Sequence, residues 1–169
     1  MVLTTAEFLS ALQHEVRVLS HLVSKVDAAQ LDYRPTPKQR STMELLRYLS
    51  MMGPTLIRFA LKKPGEDMNA IWGGAAKEAE SKNLDQLAAT IAAQGDEYAK
   101  LLGGLTDADY RKEFDGFGGK TALGPFLVNL VLGGHAAYRT QLFCYLKACG
   151  HEELTTSNLW AGMDPQPKA

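Results

Sequence analysis

The residues best equipped for chemistry fall in three places along the chain: His14-Glu15 near the start, Tyr48 in the middle, and Gly134-His135 with Tyr138-Arg139 near the end. Imidazole and carboxylate groups on neighbouring helices can hold a divalent ion with a position open to water or a thiol. His14, Glu15 and His135 therefore form a candidate set for Ni, Zn, Mn or Fe. His14 and His21 lie two helical turns apart and cannot chelate one ion together, and His21 and His151 read as solvated positions at helix surfaces or ends. Glu15 sits on the apolar stripe of Phe8, Leu12, Leu19, Leu22 and Val26, so it needs a cation, for which Arg47, Arg58 and Arg139 are the candidates. Two readings of Glu15 stay open, a structural ion pair and a general base beside a pocket. Cys144 as a nucleophile would need a nearby cation or helix start, which the middle of a helix does not supply, and it reads as packing.

These residues must be positioned by helices. Leu9, Leu12, Val16, Leu19, Val23 and Val26 recur at spacings of three and four and predict a first helix over 5–26. Pro35 and Pro37 make 27–40 an extended loop. Ser41 with Glu44 then forms a capping box that opens a second helix, running to about Leu61 with a kink at Gly53-Pro54. Residues 62–82, with Pro64, Gly65 and Gly73-Gly74, read as a long connection containing a short helical piece at 75–80. Leu84, Leu87, Ile91, Tyr98, Leu101 and Leu102 mark a third helix over 83–102, closed by Gly103-Gly104. After a polar link over 106–120, whose Gly116, Gly118 and Gly119 read as loop or hinge residues, a fourth helix spans 121–148 and stops at Gly150. Four such helices without a strand pattern or repeat predict an all-α, antiparallel four-helix bundle over 1–150, followed by a mobile extension over 151–169 that includes Pro165, Gln166 and Pro167.

Bulk properties narrow the partners. The chain has 169 residues, 46% of them hydrophobic, which suits one domain with a full core. Its 18 basic and 19 acidic residues leave a net charge of -1, so no broad field draws it to nucleic acid or anionic lipid. The tract from Thr121 to Tyr138 carries no charge, but Pro125, Asn129, His135 and its glycines place it in a bundle core rather than a membrane. Cys144 and Cys149, five apart on a helix, cannot bridge and are expected to be reduced. The start lacks a secretory signal, and a cytoplasmic setting is the expectation. There is no Walker loop, dinucleotide fingerprint, HExxH, G-x-S-x-G or paired CxxC.

Ser41-Thr42-Met43-Glu44-Leu45-Leu46-Arg47-Tyr48-Leu49 and Gly134-His135-Ala136-Ala137-Tyr138-Arg139-Thr140-Gln141-Leu142 together resemble two segments of the DinB/YfiT-like four-helix-bundle superfamily. Their patterns there are roughly S-x-x-E-L-L-x-H-L and H-x-x-x-H-R-x-Q-L. The resemblance covers nearly the whole chain and implies a bundle in which three histidines hold a metal. Those three positions fall here on Tyr48, Gly134 and Tyr138. It further implies relatives that act as metal-dependent transferases on low-molecular-weight thiols or as hydrolases of thiol adducts, and relatives that pair as homodimers. With the ligands replaced, Tyr48 and Tyr138 have two readings: they fill the metal volume, or they line a pocket that orients a small polar ligand together with Glu15 and Arg139. The functions that remain are a binding protein without the usual metal site, a divergent transferase using His14, Glu15 and His135, and a homodimeric interaction module.

Overall fold

The computed structural model describes residues 3–62 and 66–166. Pro64 and Gly65 of the expected long connection, and Pro167 of the expected extension, lie outside the described residues. Helix α1 (Thr5–Val23) opens on a capping box in which Thr4 accepts from the Glu7 amide and Glu7 returns the bond to the Thr4 amide at 2.7 Å. Its inward stripe runs Phe8, Leu12, Glu15, Leu19, Leu22. Helix α2 (Thr42–Leu61) starts at the Ser41–Glu44 capping box and continues through Pro54. The loop between them is pinned by the Thr42 and Met43 amides, which donate to the Tyr33 and Leu31 carbonyls at 2.9 Å each. Helix α4 (Leu84–Leu102) carries Leu87, Ile91, Gln94, Tyr98 and Leu102 inward.

Helices α1 and α2 each pack against both α4 and the last helix, which closes the four-helix bundle. Two departures from the sequence reading concern its connections. Residues Met68–Glu80 form a full helix, α3, laid against α2, where a shorter piece was expected. Only Ala79 of α3 is buried, so the hydrophobic repeat that betrays a helix is weak there. The polar link after α4 folds into a hairpin, β1 (Glu113–Gly116) with β2 (Gly119–Ala122), paired antiparallel with Phe114 opposite Thr121. Gly119, at φ 111°, adopts the left-handed backbone that closes it.

The last helical run begins as α5 (Leu123–Phe126), widens into a π-helical segment over Leu127–Leu132, and continues as α6 (Gly133–Ala148). The Gly133 amide reaches back five residues to the Val128 carbonyl. Leu127, Val131, His135 and Arg139 are all buried at intervals of four. A plain α-helix drifts about 40° over each such interval, and the wider turn offsets that drift, keeping all four on the inner side.

After Gly150, residues 151–166 return along α1 as a strap. Leu154 and Asn158 are buried, and a second π-helical turn spans Ser157–Ala161. Gly162 lies so close to α1 that an added Cβ would come within 2.9 Å of the Val18 Cα. Asn158 donates to Asp164 at 2.9 Å and faces His21 Nε2 at 3.0 Å, while Lys25 pairs with Asp164 at 2.8 Å. These contacts tie down a segment expected to be mobile. His21 and His151, read as solvated, are partly buried in such contacts, His151 against Gln30 and Glu153.

The core has two apolar halves. Phe8, Leu12, Leu56, Ile57, Leu102, Phe126 and Leu127 fill one. Leu19, Leu22, Leu45, Leu49, Ile91, Leu142 and Leu146 fill the other. No helix among the described residues is long and apolar enough to cross a membrane.

Candidate functional site

Tyr48 of α2 and Tyr138 of α6 meet edge to face with ring centroids 4.8 Å apart. Trp72 of α3 leans on Tyr48 at 6.2 Å. Together with Gly134, Asn129, Leu56 and Leu130 these rings line a cavity of about 400 Å³. Asn129, Leu130, Gly133 and Gly134 come from the π-helical segment and the turn after it, so the widened helix forms one wall. Phe117, between the hairpin strands, also lines the cavity and stacks on Phe59 at 4.7 Å while remaining 64% exposed. The Arg40 guanidinium lies 4.2 Å from the centre of the Tyr48 ring and 5.9 Å from that of Tyr138.

Burial is the main cause that pushes the Tyr48 phenol up to about 12, the Tyr138 hydroxyl adds to it, and the Arg40 charge opposes both. Tyr48 is therefore a protonated donor at neutral pH.

The metal that the sequence resemblance implies can be tested against these donors. The positions matched to histidine hold a protonated phenol, a second phenol and no side chain. A Cβ added at Gly134 would lie 3.2 Å from Met52 Cε and 3.3 Å from its sulfur, so Met52 occupies the space a ligand side chain would enter. Among the described residues, no histidine, cysteine or carboxylate lines the cavity. These residues do not fit the three-histidine centre.

The other sequence-predicted residues lie elsewhere, in a polar layer between the two core halves. Glu15 pairs with Arg139, Oε2 accepting from Nε at 2.7 Å and Oε1 from Nη2 at 3.2 Å. Arg139 is only 2% exposed, and its Nη1 donates to the Leu159 carbonyl of the strap. Of the other candidate cations, Arg47 donates to the Glu80 carbonyl at 3.2 Å and Arg58 pairs with Glu97. His14 Nε2 donates to the Trp160 carbonyl at 2.9 Å. His135 Nε2 lies 2.5 Å from the Tyr98 hydroxyl, and its Nδ1 has no partner among the described residues. His14, Glu15 and His135 thus each have separate partners, and among the described residues no group of three His, Cys, Asp or Glu gathers to hold an ion.

The Tyr98–His135 pair depends on a third helix. A Cβ on Gly53 of α2 would overlap the Tyr98 hydroxyl and come within 2.9 Å of His135 Nε2. Gln94 donates to the Leu49 carbonyl at 2.8 Å, in the turn that Pro54 deprives of one amide donor. Burial first, and then the Arg139 charge, lower the His135 pKa to about 4, so the ring is neutral at pH 7.

Sequence reasoning missed Arg40, Trp72, Phe117 and Tyr98 as neighbours of these sites. Phe117 carried a usable signal, a lone aromatic between Gly116 and Gly118. Arg40 and Trp72 carried none, because Arg40 meets the tyrosine rings, and Trp72 the cavity, from connections whose course depends on tertiary packing. A larger apolar cleft of about 840 Å³, between Leu3, Phe8, Tyr110, Pro125 and Val128, contains none of the sequence-predicted residues.

No protein-family model matches the sequence, and no curated protein is significantly similar to it. Solved structures do share its architecture. A crystal structure of a DinB-like protein, YjoA of Bacillus subtilis, superposes with a TM-score of 0.64 at 21% identity, over 88% of this chain and 94% of that one. The chain has a DinB-like fold.

Proposed function

We propose that this protein binds a small molecule in the cavity between α2, α3 and α6, without the three-histidine metal site that the resemblance implies. One observation carries the reading: the three positions matched to histidine, Tyr48, Gly134 and Tyr138, converge on one cavity of about 400 Å³. That volume falls within the range of small-ligand pockets, which are largely apolar with a few placed polar groups. Two phenols and the Asn129 amide supply the polar groups, and Trp72, Leu56 and Leu130 supply the apolar walls. Glu15 and Arg139 bind each other and steady the bundle beneath the cavity rather than facing a ligand.

The chain has two tryptophans, one in the cavity and one on the strap, which provides a readout with an internal control. A ligand in the cavity should move the indole N–H resonance of Trp72 and leave that of Trp160 in place. The double substitution Tyr48→Phe and Tyr138→Phe should weaken that binding. Unchanged binding in the double variant would remove the tyrosines from the site. Near-stoichiometric metal in the purified protein would reinstate the transferase reading.

A second reading concerns assembly. Val128 and Leu130 are 42% and 39% exposed on a helical segment that carries no charge between Thr121 and Tyr138. Such a face favours a homodimer formed through the last helix. Two free cysteines suit a reducing, cytoplasmic setting.

A further inference from the structure

Arg40 is an exposed cation without an acidic partner among the described residues. Its guanidinium rests on the Tyr48 ring at 4.2 Å and near the Tyr138 ring at 5.9 Å, so two walls of the cavity hold it in place. Glu44, one turn into α2, is already committed: it accepts from the Ser41 amide at 2.7 Å and pairs with Arg34 at 3.4 Å. Among the described residues, the cavity lining contains no Asp, Glu, Lys or Arg. Among the described residues, the formal charge that lies against its tyrosines is therefore positive.

A cationic ligand would be opposed by that charge, and the Tyr48 ring face that could attract a cation is already taken by the guanidinium. An anion meets the reverse situation. Arginine presents a planar fork of donors to a carboxylate, and phenols that stay protonated donate hydrogen bonds to anionic oxygens. The rest of the lining, Trp72, Leu56, Leu130 and the tyrosine rings, is suited to an apolar or aromatic body.

Building on the binding reading above, we infer that the ligand is a small apolar or aromatic carboxylate, its anionic group held by Arg40 with the Tyr48 and Tyr138 hydroxyls and its body against Trp72. Arg40 then decides charge selectivity and the aromatic walls decide shape.

Three probes of one skeleton separate these roles: phenylacetate, phenylacetamide and phenethylamine, each titrated while the Trp72 indole resonance is followed. Because Arg40 is solvent-exposed, its preference for the anion should be about fivefold over the amide, the scale of an exposed charge pair. The amine should bind weakest. Arg40→Gln should abolish the preference, bringing the anion to the amide's affinity within the same variant, and Arg40→Lys should retain part of it. A circular dichroism melt verifies that each variant is folded. Equal affinity for all three probes, with Arg40→Gln silent, would overturn the carboxylate assignment and leave the cavity as a binding site. A Trp72 resonance unmoved by every probe would count against both.

Discussion

His135 offers a direct test of the polar layer because its ring is buried, neutral and short of a partner on one nitrogen. Its pKa is lowered from the ordinary 6.5 to about 4, first by burial and then by the Arg139 charge. The unfolded chain thus takes up a proton near pH 6.5 that the folded chain refuses until about pH 4. Stability rises with pH wherever the unfolded state binds more protons, so this group's contribution is complete above pH 6.5 and is lost as pH falls toward 4. At about 1.4 kcal/mol per pH unit, the loss across that window is about 3 kcal/mol. Urea unfolding of the native protein and of His135→Gln between pH 7.5 and 4 isolates it. Glutamine keeps a polar group near Tyr98 but does not titrate, and it should cost stability at neutral pH. The gap between the two proteins should close by about 3 kcal/mol on acidification. His21, whose pKa is also lowered, chiefly by burial, contributes with the same sign but equally to both proteins, so it cancels. Parallel pH profiles, with a gap constant to within about 0.5 kcal/mol, would refute the assignment of a neutral buried imidazole.

Glu15→Gln should destabilise the bundle by about 3–5 kcal/mol, because it leaves the buried Arg139 charge unpaired, whereas Glu15→Leu with Arg139→Met should recover most of that loss in urea melts. Gly53→Ala should cost about 1–3 kcal/mol by pressing on the Tyr98 hydroxyl, and adding Tyr98→Phe should relieve part of it, seen as a non-additive double-mutant cycle. Asn158→Ala should cost about 1–3 kcal/mol and speed proteolytic cleavage within the strap, since it removes the side chain that caps the Thr155 amide and joins Asp164. Replacing Val128 and Leu130 with lysine should leave the chain monomeric by light scattering if the last helix forms a homodimer, while leaving its thermal melt at low protein concentration nearly unchanged.

Much of the bundle was legible because α1, α2 and α4 each declare themselves by an inward stripe, and α2 also by its capping box at Ser41, whereas the boxes at Thr4 and Asn83 emerged only from the structure. Elements stabilised chiefly by neighbours were not. The hairpin strands have four residues each, too few for alternation to stand out, and α3 buries only Ala79. The strap is polar and proline-bearing in sequence, and only its docking on α1 reveals why Asn158 and Gly162 stand where they do. At the cavity, the resemblance to the DinB/YfiT-like patterns pointed to Tyr48, Gly134 and Tyr138, but Arg40 and Trp72 come from segments without a periodic signal. The Tyr98–His135 contact joins residues 37 positions apart and relies on a missing side chain at Gly53, an arrangement invisible along one chain.

The π-helical segment makes the last helix two rods set out of step. Winding all six residues of 127–132 as ordinary α-helix would leave the run helical and still crossing the bundle. Everything beyond it would turn by about 100°, however, carrying Tyr138 off the cavity and Arg139 away from Glu15. The wide turn that takes up the extra residue therefore acts as a clutch between the end of the helix that anchors the hairpin and the end that faces the ligand. A natural chain of this architecture that lacks it should present a different set of side chains to the same cavity, and with them a different chemistry, without any change in its architecture.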